Sequence, residues 1–227
     1  MKKYKLTNET IVHLGFTLYR IEALMDFSDV KAGDKGGFVQ SENNLSHKGD
    51  CWVYGNAKVY GNAKVYDNAE VYNYAKVYNN AKVCGNASVF CNAKVYNNAK
   101  VCGNASVFCN AEVYGNAEVC GNASVFCNAE VRDYVKVRGD AEVYGKAEVC
   151  GDAKVYKNSD YIVFKNWWSS GRYFTWTRSN NSWKVGCFYG NGEDLIKKAY
   201  ADSEESGREY ERVVRYVENI LADELNK

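Results

Sequence analysis

The fold class this sequence predicts is an all-β solenoid, wound as a parallel β-helix with three short strands per coil. Three observations carry the prediction. From Val53 to Val155 a valine recurs at every sixth residue, eighteen times without insertion or deletion. Two residues before each valine stands a small residue, sixteen times alanine, the exceptions being Cys51 and Val135. Two or three residues after it come Gly, Asn or Asp, as in VYGNAK and VYDNAE.

A fixed period of six is neither the helical 3.6 nor a plain strand alternation, so it reads as a repeat architecture. Within one hexad Ala-x-Val-x alternates, which sends Ala and Val to one side and their neighbours to the other. Valine favours extended backbone because its branched Cβ restricts χ1. Gly and Asn enter the left-handed region most cheaply, so they make the corner. A longer period sets the number of sides. KVCGNASVFCNAKVYNNA (82–99) recurs as KVCGNASVFCNAEVYGNA (100–117), a repeat of eighteen, or three hexads. Three strands make one triangular turn, and about six regular turns stack roughly 4.8 Å apart around a narrow Val and Ala interior.

These repeats resemble the hexapeptide-repeat proteins of the left-handed parallel β-helix, a class that includes acyltransferases and γ-type carbonic anhydrases. The resemblance covers residues 51–156. It alone implies the left hand, since the usual crossover rule predicts the opposite one. The whole chain is also similar to uncharacterised hexapeptide-repeat proteins often encoded by phages and prophages. The shared stretches are DVKAGDKGGFVQSENNLS near the start and TWTRSNNSWKVGCFYGNGE near the end. That likeness implies a host protein as target, such as a defence enzyme held inhibited.

Residues 1–50 read as an N-terminal β cap with an imperfect first coil, 51–158 as the β-helix, and 159–227 as an α+β cap. In the first segment, short apolar runs and the glycine-rich VKAGDKGG suggest a few strands and a turn over the open solenoid edge. Val39, Leu45 and Cys51 continue the alanine register backwards and put His47 in the valine register. His47 reads there as a polar residue of an irregular coil, ahead of a ligand or a base.

The eighteen-residue period sorts the outward side chains by face. The first face carries Tyr54, Tyr72, Phe90, Phe108, Phe126 and Tyr144, with Ser88, Ser106 and Ser124 beside the phenylalanines and Cys91, Cys109 and Cys127 next to them. This strip holds no charge in its middle, as a partner surface would. Phe90, Phe108, Phe126, Ser106 and Tyr72 are its candidate interface residues. The expected partners are another copy of the chain, as dimer or trimer, and a further protein. The second face stacks Tyr60, Tyr78, Tyr96 and Tyr114 beside Lys58, Lys76 and Lys94, which give way to Glu112, Glu130 and Glu148. The third carries Cys84, Cys102 and Cys120 with a lysine stripe that reads as a solvated face. The cysteine ladders offer no C-x-x-C or Cys/His metal site. Stacked about 4.8 Å apart they are close enough for disulfides, which in a ladder of three would leave one thiol over, and inert thiols are the preferred reading.

After Tyr156 the period ends. Asp160–Phe164, Arg172–Arg178 and Trp183–Tyr189 read as antiparallel strands, with Ser179-Asn-Asn-Ser as a hairpin turn. Helices follow at about 193–201 and 204–223, the second with Tyr210, Val213, Val214, Val217 and Leu221 on one face. Trp168, Arg172, Trp176, Arg178 and Trp183 form an aromatic and arginine cluster suited to partner binding. A tryptophan core is the competing reading of the same residues.

The resembled enzymes use a coil histidine as base, or three histidines on zinc. Here the two histidines, His13 and His47, both precede the regular coils. The expectation is a non-enzyme with no catalytic residue, metal or cofactor; sequestering a small molecule or nucleotide between protomers is an alternative, and acyl transfer through an unrecognised base another. A net charge of +1 argues against a nucleic-acid partner. MKKYKLTNET lacks a signal-peptide core and no run spans a bilayer, so the reading is cytoplasmic, in the host if phage-encoded, and off the membrane.

Overall fold

The structure, a computed structural model, describes residues 2–225. The repeat folds into eighteen two-residue strands, β4 (Trp52–Val53) to β21 (Lys154–Val155), each covering the residue before the valine and the valine itself. They fall into three parallel six-strand stacks, one per face. Partners lie eighteen residues apart, as in Ser88↔Ser106 and Lys94↔Glu112. Six regular turns result, with part of a seventh below them.

Every repeat valine is at most 1% exposed and every repeat alanine is fully buried. The residue two after each valine but the last takes positive φ, from Gly55 at 58° to Gly151 at 71°. At the corners between faces, asparagine amides hydrogen-bond from coil to coil. Asn62, Asn80, Asn98 and Asn116 form one such ladder, each step 3.1 Å. The exposed corners thus keep their polar groups paired along the stack.

The N-terminal segment extends the second face. β1 (Tyr4–His13) and β2 (Phe16–Ala23) form a hairpin, β3 (Lys35–Val39) pairs antiparallel with β2, and β3 runs parallel to Lys58–Val59. The second-face sheet therefore has nine strands. Gly36 and Gly37 lie flat on the first coil: a Cβ at Gly36 would come within 2.6 Å of the Val53 carbonyl oxygen. The glycines of this stretch thus permit close approach of two backbones rather than a loop.

The register of this imperfect coil differs from expectation. Val39 pairs with Val59, and Leu45 bridges to Val65, a spacing of twenty residues. Both occupy the valine register, two residues away from the alanine register expected of them. Cys51 keeps the alanine register, with its N–H on the Asp67 carbonyl. The two extra residues are taken up in the irregular 46–50 stretch, which moves His47 out of the valine column.

The chain divides into two compact units, Met1–Asp160 and Tyr161–Lys227. The second unit has a four-stranded antiparallel sheet, β22 (Tyr161–Lys165), β23 (Tyr173–Thr177), β24 (Ser182–Val185) and β25 (Phe188–Gly190), in that order. The single strand expected at 183–189 is a hairpin turning at Gly186, where φ is 53°. Helices α1 (Gly192–Asp202) and α2 (Glu204–Leu225) follow. Asn191 caps α1 by accepting the Asp194 N–H. Phe174, Trp176, Trp183, Val185, Leu195, Ile196, Val214 and Val217 make the buried core of this unit.

Candidate functional site

The first face builds its strip from the coil outward. In-register parallel pairing places identical side chains over one another, and flat rings so placed stack. Tyr72, Phe90, Phe108 and Phe126 do so with ring centroids 4.8–4.9 Å apart and planes within 4°. Tyr144 continues the column at 5.3 Å. The phenylalanines are half-buried, as are Ser88, Ser106 and Ser124. Glu70 and Glu142 pair with the outermost serines and bound the uncharged strip below and above. All five expected interface residues therefore share one continuous surface.

The second face is spent differently. Its tyrosine column also stacks, but Tyr96 and Tyr114 donate their hydroxyls to Glu112 and Glu130. Tyr60 is buried with Leu18 and Phe38 of the N-terminal strands.

A hollow of about 880 Å³ lies at the imperfect coil and is lined by residues 40–47 with Gly61, Asn62, Lys64, Val65 and Tyr66. His47 stands in its wall. Its Nδ1 accepts the Lys3 backbone N–H at 3.2 Å, and its ring stacks on Tyr4 at 4.3 Å. With Nδ1 accepting, the neutral ring carries its proton on Nε2, 3.6 Å from Glu42. That tautomer leaves no lone pair for a substrate proton. Hydrogen bonds from Lys2, and then the nearby His47, hold the Glu42 carboxyl below its ordinary pKa. Lys3, unremarked in the sequence, is 3% exposed and donates its ammonium to the Gly49 and Cys51 carbonyls. Burial lowers its pKa against the attraction of Cys51.

The C-terminal cluster does not converge on a surface. Trp176 and Trp183 are 1% and 2% exposed, inside the core, where no partner reaches them. Trp176 directs its indole N–H to Asn181 rather than outward. Trp168 packs on Phe174 and Tyr210, and Arg178 forms two hydrogen bonds to Glu224. Arg172 is exposed, as is Trp167 at 81%. The core reading of the tryptophans thus holds for Trp176 and Trp183.

The third-face cysteines also differ from expectation. Cys102 and Cys120 form a disulfide, because coil stacking holds their Cα atoms 4.6 Å apart. Cys84, one coil below, is left as a thiol, and so are Cys91, Cys109 and Cys127 on the first face. Among the described residues no group of three His, Cys, Asp or Glu side chains is placed to hold a metal ion. No described helix is long and apolar enough to cross a membrane.

No family model matches the chain. A 62-residue stretch is 36% identical to the uncharacterized acetyltransferase YdcK of Escherichia coli (strain K12), covering 24% of this chain. That stretch is 19% of the relative, so the match spans about a fifth of its length. Repeat, coil and relative fit together. The chain has the make-up of a hexapeptide-repeat β-helix. What distinguishes this hexapeptide-repeat β-helix in detail is the first-face column of rings, which nothing in the alternation of Ala and Val requires.

Proposed function

We propose that this protein is a non-catalytic binding protein whose first face docks a second copy of the chain and, through the assembled surface, another protein. The observation that carries this reading is the uncharged column Tyr72, Phe90, Phe108 and Phe126, flanked by Ser106 and bounded by glutamates. Stacked rings on a rigid sheet present large apolar area with little side-chain entropy left to lose, which suits an interface centre. The likeness to phage and prophage proteins makes a host protein the fitting target, bound and thereby inhibited. Light scattering tests the self-association: the wild type runs as a dimer or trimer, and Phe108→Glu runs as a monomer with an unchanged β-sheet spectrum. A wild-type monomer that draws no specific protein from bacterial lysate, beside the same Phe108→Glu control, would end this reading.

Acyl transfer is the second reading, favoured by the acetyltransferase relative and by the hollow at His47. The Lys3 N–H on His47 Nδ1 counts against a free base there. Calorimetric titration of Lys76→Gln, which lacks the centre of the second-face lysine column, with acetyl-CoA separates the two: heat of binding supports the enzyme, and its absence supports the docking surface.

A further inference from the structure

We infer that the second face carries an anion site in which Lys58, Lys76 and Lys94, stacked on three successive coils between His13 and Tyr74, hold a linear di- or triphosphate. The inference is independent of the first-face reading. A hollow of about 340 Å³ is lined by His13, Lys58, Tyr74, Lys76, Asn92 and Lys94. No carboxylate lines it. Lys58 pairs in register with Lys76, and Lys76 with Lys94, so three lysines stand in one column on strands roughly 4.8 Å apart. Like charges directly opposite in a sheet are destabilising, and a chain of phosphates along the column would relieve that repulsion.

The neighbouring acids are already used. Glu112 accepts from both Lys94 Nζ at 2.7 Å and the Tyr96 hydroxyl at 2.9 Å. Lys58 reaches only the Asn56 carbonyl, and Lys76 makes no hydrogen bond or ion pair among the described residues. His13 closes one side from the N-terminal hairpin, its ring edge-on to Tyr60 and its Nε2 without a hydrogen-bond partner. Burial, and then Lys76 and Lys58, hold the imidazole below its ordinary pKa of 6.5.

Tyr74 is the second, independent pointer. From Asn56 to Asn128 the third residue after each valine is asparagine in every repeat but this one. The substitution interrupts a corner ladder of the kind seen from Asn92 to Asn110 and leaves a ring 60% exposed at the lip of the hollow. The pattern breaks again from Tyr134 to Asp152, so what singles out Tyr74 is its place beside the three lysines in the wall of the hollow.

The third face supplies a built-in control. Lys64, Lys82 and Lys100 stack in the same register, but the hairpin that carries His13 belongs to the second-face sheet. Isothermal titration with inorganic triphosphate and with ATP, both without magnesium, tests the site. The wild type binds, Lys76→Gln binds at least tenfold more weakly, and Lys82→Gln is unchanged; circular dichroism checks that each is folded. Equal affinities for the two ligands assign recognition to the phosphate chain alone. Tighter ATP binding whose margin vanishes in Tyr74→Ala adds the stacked ring, so the ligand would be a nucleotide. No binding by the wild type, or equal weakening in Lys82→Gln, overturns the site.

Discussion

At the scale of single residues, the corner decides what each repeat tolerates. All three corner columns hold positive φ, yet glycine fills only some positions. Gly85, Gly103 and Gly121 sit at φ of 70°, 70° and 79°, and a Cβ on Gly103 would lie 2.9 Å from the Gly121 nitrogen and carbonyl oxygen. Backbone cannot move aside as a flexible side chain can. Gly103→Ala is therefore expected to lower stability by about 1–2 kcal/mol or more, the left-handed cost of a Cβ, with the contact added. Cys109 sits in the same conformation at φ of 59° without the ease that glycine or asparagine has there. Cys109→Asn should raise stability by up to about 1 kcal/mol, because asparagine enters this region more readily. Thermal melts of both variants under reducing conditions check the pair. A drop with Cys109→Asn would mean that the thiol contributes packing beside Phe108 that outweighs the backbone strain.

At the scale of the element, the tyrosine column of the second face behaves as a unit. Burial, the neighbouring Tyr60 and Glu112 push the Tyr78 hydroxyl up from 10.0 to about 12. Burial, with hydrogen bonds to glutamates among the further causes, raises Tyr96 and Tyr114 further. A raised pKa in the folded state means that above pH 10 the unfolded chain loses protons the folded chain keeps. Stability is thus full below pH 10 and falls as pH rises above it. Tyrosinate absorbance from the column should appear together with loss of the β-sheet signal, and Tyr96→Phe should blunt the alkaline loss. Ionisation of the column well before unfolding would contradict this. The coil strands were legible in the sequence because one period sets both their side-chain direction and their stacking partner. The N-terminal register was not, since the extra residues at 46–50 are polar and leave the spacing of Val39, Leu45 and Cys51 looking regular. Trp176 and Trp183 could not be assigned from composition, because an aromatic and arginine cluster reads alike as a core or a surface. The first-face strip was legible down to Phe108. The coil spacing of about 4.8 Å already allowed a disulfide in a cysteine ladder, but not which pair closes, which the structure shows to be Cys102–Cys120.

At the scale of the whole molecule, two periods do two different jobs. From Val53 to Val155 the interior sees only Ala and Val, so folding depends on the period of six; the outer faces depend on the period of eighteen. In a solenoid each turn contacts only its neighbours, and whole units can be removed without unfolding the rest. Deleting 100–117 takes out one full turn and returns every later strand to its own face. Deleting 100–105 takes out one strand, preserves the Ala and Val alternation, and moves every later strand to the next face. Phe108 would then stand above Cys84, while Tyr114 with Glu112 beside it, and next Arg132, would follow Phe90, so the uncharged column would end at Phe90. Both deletions should give a cooperative melt and a β-sheet spectrum. Only the full-turn deletion should keep the self-association of the first face, by light scattering. If the six-residue deletion associates as the wild type does, the ring column is not the contact surface; if it fails to fold, the outer ladders contribute more to stability than the interior alternation alone allows.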